Sequence, residues 1–581
     1  MPAKPSGEIK TSVIHQLQKN GDIYVLERKT IYDPEKKYTR VLSTKLISKI
    51  PKGSEIPVPT RPKRKKKDDS DAKTGFVSAS RKHVGMMDII DHIGMVSGID
   101  DAIYDSTDEG TAQKIISLAR YLLATNGQSF PGIQTWQYNH PLPYEDGITE
   151  DIYHNLFVRI GADESLQQSF FQKRCEALPE GDALAYDSST ISTYSERQPE
   201  ARYGFNKAHD GLKTIKLVTL YSIESRQPIA FTKQPGNLPD VTSISNAIKQ
   251  LNSLGVNTAE IITDNGYYSE QNFAELLLAG FDFITLAKTN IKWIKPVIDE
   301  QREALDDFRT LCPFDPSTHG VSSVLMHSFT KVRKYANHKS GAPKGSEETF
   351  SRRIYLHIFY NQSRQSADKA AFDEELFELK NLLESGTPVE DLSESAQKKV
   401  KKYFTIKKWG SKITAVPDNK AIAEANRYHG YFVLVANKEK DPFECLRKYR
   451  KRETIESFFE AGKQHADGAR IRVWDTDTLR GRMFVQFVSL CYYEYLSEEI
   501  RKLKTSLGLK TGDKNHDTKD NLNKELELKS WLKNTPLYLQ LQWFDTVDEV
   551  QISAKLKNRR WTTEITSRDA LYLEKLGVVI N

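Results

Sequence analysis

Cysteine is scarce in this 581-residue sequence, and no two cysteines form a CxxC pair. The four that occur are widely separated: Cys175, Cys312, Cys445 and Cys491. Zinc sites and disulfide scaffolds both need closely spaced cysteines, so the sequence indicates neither. We interpret these side chains as reduced packing residues.

Long apolar runs are missing too. The longest candidate, residues 483–493, falls well short of the roughly 18 apolar residues of a membrane span. The N-terminal segment MPAKPSGEIK lacks the apolar region of a signal peptide. We therefore expect a cytoplasmic protein with no membrane partner. The sequence also contains no GxxxxGK(S/T) phosphate loop, no GxSxG elbow and no HExxH helix, and its histidines lack the spacing of metal ligands.

Positive charge is slightly in excess, at a formal net charge of +6, which permits a polyanionic partner without requiring one. Its distribution is more informative. Residues 61–67 (RPKRKKK) and 447–452 (RKYRKR) each concentrate five or more cations. A solvated linker is the simpler interpretation of the first run. The second leads directly into a polar helix face, which favours a binding role there.

The chain is too long for one hydrophobic core, so we predict several domains. Short alternating segments precede the basic run, helical patterns such as TAQKIISLARYLLATNG follow it, and a mixed order of strands and helices comes next. In that helical pattern Thr111 is a plausible N-cap and Gly127 a stop. The predicted divisions are a β-rich arm and basic linker (1–75), a helical domain (76–180), the first part of an α/β domain (181–289), an inserted subdomain (290–440), the second part of the α/β domain (441–500), and a linker with a C-terminal unit (501–581). The helical domain either contacts DNA or serves packing.

Two aspartates stand where strand patterns give way to turn residues, Asp187 in YDSST and Asp264 in TDNGYYS. In an α/β sheet the carboxyl ends of the strands are where ligand sites form. A single aspartate at such a position is normally a turn or cap residue. Two of them, joined by an inward-facing glutamate, would form a set of three carboxylates.

The segment YRKRETIESFFEAGKQ supplies that glutamate. At roughly 100° per residue, Tyr449, Arg452, Glu456 and Lys463 fall within an arc of about 60° on one helix face. An ordinary amphipathic helix with ion pairs at a spacing of four residues is the alternative interpretation.

Three acids grouped without a cation repel one another, so the set is typical of a bound metal. Carboxylate oxygens suit Mg²⁺ or Mn²⁺, and two such ions can drive phosphodiester displacement. Arg452 and Lys463 would then hold backbone phosphates, while Tyr449 donates a hydrogen bond or stacks.

These residues resemble the DDE transposases of bacterial insertion sequences, in the group with a Tyr-Arg-Glu-Lys signature. The signature spacing Y-x2-R-x3-E-x6-K is matched without a gap by Tyr449, Arg452, Glu456 and Lys463. The resemblance extends over about residues 90–500 and includes four further segments: YDSSTIS (186–192), QPGNLPD (234–240), TDNGYYS (263–269) and FITLAKTN (283–290). One departure is Arg482, which stands where the family leads us to expect histidine.

The resemblance implies an α/β, ribonuclease-H-like catalytic domain, interrupted by a mostly β inserted subdomain and preceded by a helical N-terminal domain. It implies that Asp187, Asp264 and Glu456 are the catalytic metal ligands, that Tyr449, Arg452 and Lys463 contact DNA, and that the cofactor is Mg²⁺, as two ions that Mn²⁺ can replace. No other cofactor is expected.

The function implied is that of a bacterial transposase. It would bind the terminal inverted repeats of its element, cut the double-stranded DNA and join the freed 3′ hydroxyl to target DNA, as a homodimer on two ends. Two alternatives stay open: a metal-dependent nuclease of the same fold, and a catalytically idle DNA-binding derivative.

Overall fold

The structure is a computed structural model. It describes residues 9–33, 38–59, 78–179, 181–204, 206, 210–333, 343–409, 412–466, 468, 470–471, 473–513, 515–554 and 557–579. The basic run at 61–67 lies outside the described residues. The chain forms two compact units, Met1–Arg81 with Val550–Trp561 and Lys82–Glu549 with Thr562–Asn581. Within the described ranges, no helix combines the length and the apolar character needed to cross a membrane.

The first unit is built from strands. Four of them form an antiparallel sheet in chain order: Lys10–Leu17 (β1), Ile23–Asp33 (β2), Tyr38–Ile50 (β3) and Val58–Pro59 (β4). Ser78–His83 (β5) belongs to a separate three-stranded sheet, in which its neighbour is Asp548–Ala554 and the outer strand is Lys557–Thr562. Alternating apolar and polar residues such as those of β2 and β3 are typical of strands with one face turned to water.

The second unit contains a large mixed sheet. Its strands are Ala183–Thr193 (β6), Lys213–Ser222 (β7), Gln227–Pro235 (β8), Glu260–Thr263 (β9), Asp282–Ala287 (β10), Leu311–Cys312 (β11), Asp315–Val332 (β12), Glu347–Asn361 (β13), Tyr431–Ala436 (β16) and Arg470–Ile471 (β17). Phe404–Trp409 (β14) and Lys412–Pro417 (β15) form a small antiparallel pair of their own.

The large sheet has the order β11-β12-β13-β16-β10-β9-β6-β7-β8, with β17 attached to β6. Strands β6, β9 and β10 run parallel, and the other neighbours are antiparallel except for the parallel pair β17 and β6. All six residues of β16 are buried, as expected for a strand inside a sheet that is covered on both faces. The second unit is therefore a mixed α/β structure.

The helices of the second unit are Gly85–Val96 (α1), Ile99–Tyr104 (α2), Glu109–Ala124 (α3), Ile133–Trp136 (α4), Glu150–Ala162 (α5), Glu164–Glu176 (α6), Ile244–Ser253 (α7), Glu270–Leu278 (α8), Ile294–Gln301 (α9), Gln362–Glu384 (α10), Glu394–Tyr403 (α11), Asn419–Asn426 (α12), Pro442–Lys451 (α13), Glu453–His465 (α14), Thr476–Ser506 (α15), Lys519–Asn534 (α16), Leu537–Phe544 (α17) and Ser567–Leu576 (α18). The N-cap of α3 is Asp108, which accepts from the Thr111 backbone, so the prediction of Thr111 as the cap was wrong. The helix begins at Glu109, and the Asp108 carboxylate satisfies the free N–H group of Thr111, the third helical residue.

The segment predicted to be inserted divides into two kinds of structure. Its strands β11, β12, β13 and β16 extend the large sheet beyond β10. Residues 362–426 instead surround a second, smaller core centred on Leu376, Leu379, Leu383 and Val400. The excursion from the sheet therefore carries its own hydrophobic centre.

Two glycines allow α15 to pack closely against α5, because each lies against the backbone of the opposite helix. A Cβ added at Gly481 would lie 1.9 Å from the Phe157 carbonyl oxygen, and one added at Gly161 would lie 1.8 Å from the Asp477 carbonyl oxygen. Neither neighbour is a flexible side chain, so the close approach of the two helices requires glycine at both positions.

Replacing Gly481 by Ala is expected to lower the free energy of unfolding by about 3 kcal/mol, because the helices must separate to admit the methyl group. Thermal unfolding measures the effect. Gly110→Ala, in helix α3, is the matched control. A Cβ added there would lie 3.7 Å from the nearest atom, Asp108 Oδ1. That change is expected to be neutral or to stabilise by up to about 1 kcal/mol. Equal melting temperatures for both variants would contradict the packing argument.

A carboxyl group on α15, that of the partly buried Glu494, contacts strand β7 of the sheet. The Tyr221 hydroxyl donates to Glu494 Oε2 at 2.9 Å. Burial raises the pKa of Glu494 from its ordinary value of 4.5 to about 7. The folded state therefore keeps a proton that the unfolded chain has lost, and stability decreases as the pH rises from about 4.5 to about 7.

Glu494→Gln is expected to flatten this pH dependence and to make the protein more stable than the wild type at pH 8, because a neutral amide has no proton to lose. Melting temperatures between pH 5 and pH 8 test it. Glu499→Gln, on the same helix but paired with Lys502 at 2.8 Å, should leave the slope unchanged. An unchanged slope in the Glu494 variant would rule out this carboxyl group as the cause.

Candidate active site

Asp187 lies within β6 and not at its end, where it was expected. The parallel pairing of β6 with β9 covers only Ala183–Ala185, since the short strand β9 stops at Thr263. From Asp187 onward β6 therefore extends past its neighbour, and a gap opens beside it. The position is equivalent to a strand end because the adjacent strand has finished.

Asp264 directly follows β9, as the sequence predicted. Its carboxylate caps the short turn Asn265–Tyr267 by accepting from the Asn265 backbone at 2.7 Å. The turn residues that made a capping role the simpler interpretation do form a cap. That role leaves the aspartate at the carboxyl edge of the sheet, beside the gap next to β6.

Glu456 lies in the first turns of α14. The predicted continuous helix through Tyr449 and Glu456 is divided in two, because α13 ends at Lys451 and α14 begins at Glu453. Between them the chain tightens: the Arg452 N–H donates to the Tyr449 carbonyl, and the Ile455 N–H to the Arg452 carbonyl, each at 3.0 Å. Hydrogen bonds from an N–H to the carbonyl three residues earlier are the 3₁₀ pattern, which winds the helix more tightly without reversing the direction of the chain. Tyr449, Arg452 and Glu456 still reach the same side.

A cavity of about 460 Å³ brings these elements together. It is lined by Asp187, Asp264 and Glu456, from β6, the end of β9 and α14. Two further charged residues line it as well, Lys216 and Asp240. The motif at 234–240 indicated no role for Asp240, and nothing in the local pattern around Lys216 distinguishes it from other strand residues.

The Arg452 guanidinium bridges two of the acids. It lies 2.9 Å from Asp187 Oδ2 and 3.1 Å from Glu456 Oε1, and its side chain is only 7% exposed. The hydroxyl of Tyr449 donates to Asp264 Oδ1 at 3.1 Å. Each of the three predicted acids is thus contacted by a residue of the same signature segment, and the negative charge is offset from within the chain.

The electrostatics follow from this arrangement. Burial alone would lower the pKa of the Arg452 guanidinium, but Tyr449, Asp187 and other acidic groups outweigh it and raise the pKa. Burial, with Asp264 as a further cause, raises the pKa of the Tyr449 phenol well above its usual value. Arg452 therefore stays a cation and Tyr449 a neutral donor at all physiological pH values.

Lys463, the last residue of the signature, lines a neighbouring cavity of about 50 Å³ instead. That cavity is mostly apolar and lies among α14, α15 and the sheet, with Phe231, Phe458 and Phe487 in its wall. Of the four signature residues, Glu456 lines the cavity of the three acids, called the acidic cavity below, and Tyr449 and Arg452 contact its acids. Lys463 lines the neighbouring cavity.

The donor set fits a divalent cation in kind, because carboxylate oxygens are the ligands that Mg²⁺ and Mn²⁺ prefer. Within the described ranges, however, no three His, Cys, Asp or Glu side chains are arranged to hold one ion together. At Asp187 and Glu456 the positive charge comes instead from the Arg452 guanidinium, which contacts both carboxylates.

Comparison with known proteins identifies the family of this chain. The transposase DDE domain family matches residues 179–492, more than half of the chain, and the span includes all three acids. The protein belongs to this family of DDE transposases. No curated protein matches the sequence.

One similar solved structure is the cryo-EM structure of a piggyBac transposase synaptic complex with hairpin DNA. It is 11% identical, the alignment covers 78% of this chain and 81% of that one, and the TM-score is 0.34.

Replacing Arg452 by Met is expected to lower the free energy of unfolding, measured without divalent ions, by roughly 3 kcal/mol, because the guanidinium that offsets the charges of Asp187 and Glu456 would be lost. Arg447→Met is the control. That residue lies on α13 in an exposed pair with Glu444 at 2.6 Å, and its loss should cost less than about 1 kcal/mol. Equal losses would mean that the bridge contributes no more than a surface ion pair.

Proposed function

We propose that this chain is a metal-dependent DNA transposase that binds the terminal inverted repeats of a bacterial insertion sequence, cuts the DNA there and transfers the cut strand to a target. The observation that carries the proposal is that Asp187, Asp264 and Glu456, distant in the sequence, line one cavity in a chain of the DDE family. The catalytic domain in this proposal is ribonuclease-H-like.

Asp187, Asp264 and Glu456 would hold two Mg²⁺ ions, which Mn²⁺ can replace. When bound, such ions activate an attacking oxygen and stabilise the leaving oxygen of a phosphodiester. The protein contributes the placement of the acids, two fixed by neighbouring strands and one by a helix, so that a nucleic-acid backbone entering the cavity meets all three.

Arg452 has two successive partners in this proposal. Without divalent ions its guanidinium neutralises Asp187 and Glu456. With divalent ions held by the acids, the Arg452 guanidinium would be available for a phosphate of the transposon end, to which its planar fork is well matched. Tyr449 would likewise exchange Asp264 for a hydrogen bond to DNA. Lys463, about two turns along α14 from Glu456, would contact the DNA backbone further along.

Strand transfer needs each transposon end to meet an active site. The chain contributes one set of the three acids, so we propose a homodimer on two ends, with the double-stranded DNA as its scaffold. The freed 3′ hydroxyl then attacks the target phosphodiester directly, with one bond formed as another breaks and no covalent protein intermediate.

Asp187→Ala, Asp264→Ala and Glu456→Ala are each expected to reduce cleavage and joining by at least about a thousandfold, because the remaining acids no longer neutralise the ions, while binding to end DNA persists. The assay combines a pre-cut end, a target plasmid and Mg²⁺, and it scores joined product. Glu460→Gln, an α14 residue that contacts Gln464 at 2.8 Å, should behave as the wild type.

The same assay separates the alternatives. A nuclease of this fold would cut end DNA without forming joined product. A catalytically idle DNA-binding derivative would show no activity for the three alanine variants to remove.

A further inference from the structure

A fourth carboxylate borders the acidic cavity. Asp240 ends the segment QPGNLPD and begins the short turn Asp240–Thr242. Its Oδ1 lies 2.6 Å from the Nζ of Lys216, a β7 residue whose side chain is only 8% exposed. The same Nζ donates to the Leu238 carbonyl at 2.5 Å. A buried ammonium needs such partners, so Lys216 and Asp240 hold each other in place.

Asp240 is tied to the segment of the first acid. The Ser188 hydroxyl donates to Asp240 Oδ1 at 2.8 Å. The backbone N–H of the same serine donates to Asp187 Oδ1, also at 2.8 Å. One residue therefore links the carboxylates of Asp187 and Asp240.

Asp240 also contacts the segment of the second acid. A Cβ added at Gly266 would lie 3.4 Å from Asp240 Oδ2, so the carboxylate packs against the turn that Asp264 caps. Asn272, which is buried on α8, joins the same two turns: its amide donates to the carbonyls of Val241 at 2.8 Å and Tyr267 at 2.7 Å. The turn after Asp240 and the turn after Asp264 are thus fastened to each other.

We infer that Asp240, anchored by Lys216, is a positioning residue that sets the separation of Asp187 and Asp264. One of its oxygens is engaged by Lys216 and by Ser188, beside the first acid, and the other packs against the turn of the second. The inference rests on the proposed function, since the separation of the two aspartates matters because they hold metal together. Groups that orient metal ligands from behind affect metal affinity strongly even though they do not touch the ion.

The test measures Mn²⁺ binding to the full-length protein without DNA, by calorimetry and by the Mn²⁺ paramagnetic resonance signal. Asp240→Asn is expected to weaken Mn²⁺ binding by about 10- to 100-fold, with strand joining recovered at high Mn²⁺ concentration. The double variant Lys216→Met with Asp240→Asn leaves no unpaired buried ammonium, so it protects folding. It should lose a similar factor, because both changes act on one pair.

Glu200→Gln is the matched control. Glu200 pairs with Lys233, a lysine whose side chain is 5% exposed on the adjacent strand β8, at 3.0 Å, and neither residue lines the acidic cavity. The Mn²⁺ affinity of the Glu200→Gln variant should equal that of the wild type, although its melting temperature should fall about as much as that of Asp240→Asn. Equal weakening in this control would reduce Asp240 to a stabilising role and overturn the inference.

Asp187→Ala separates this inference from the function beneath it. If Asp187→Ala loses Mn²⁺ binding and Asp240→Asn does not, the positioning role is wrong and the proposed function stands. If Asp187→Ala itself binds Mn²⁺ as the wild type does, the proposed function fails and the inference fails with it.

Discussion

The acidic cavity depends on the charge balance that Arg452 provides. Its guanidinium is buried between a strand-borne aspartate and a helix-borne glutamate, and it contacts both. Carboxylates brought this close would otherwise repel one another across a region of low dielectric. The cation is part of the segment that carries Glu456, so the helix that adds the third acid also brings the charge that makes its approach favourable.

Much of the sheet could be predicted from local pattern. The α8 helix begins after Ser269, whose side chain accepts from the Asn272 backbone, and is followed by Gly280 with φ near +88°; capping and left-handed glycine are properties of a few adjacent residues. The strand that precedes Asp264 was equally predictable. The exact course of β6 was not, since it depends on where a different strand, β9, stops.

The site was less predictable than the fold for a similar reason. Helical spacing shows which side chains share a face, but it does not show what lies opposite that face. Arg452 was expected to hold DNA phosphates or, in the alternative interpretation, to form an ion pair four residues along its helix, whereas in the structure it also meets Asp187, 265 residues away. Lys216 and Asp240 carried no signal beyond a motif match, because their significance arises from contacts between strands and loops that are separate in the chain.

The connection between β10 and β16 has a consequence for how this architecture tolerates change. These two strands are direct neighbours, yet about 140 residues separate them in the sequence. After β10 the chain forms β11, β12 and β13 and then returns as β16 beside β10. The intervening strands therefore lie only on the side of the sheet away from β6. The segment between β10 and β16 can therefore grow, shrink or be exchanged over evolutionary time. Glu456, which follows β16, would keep its distance from Asp187 and Asp264, which precede β10.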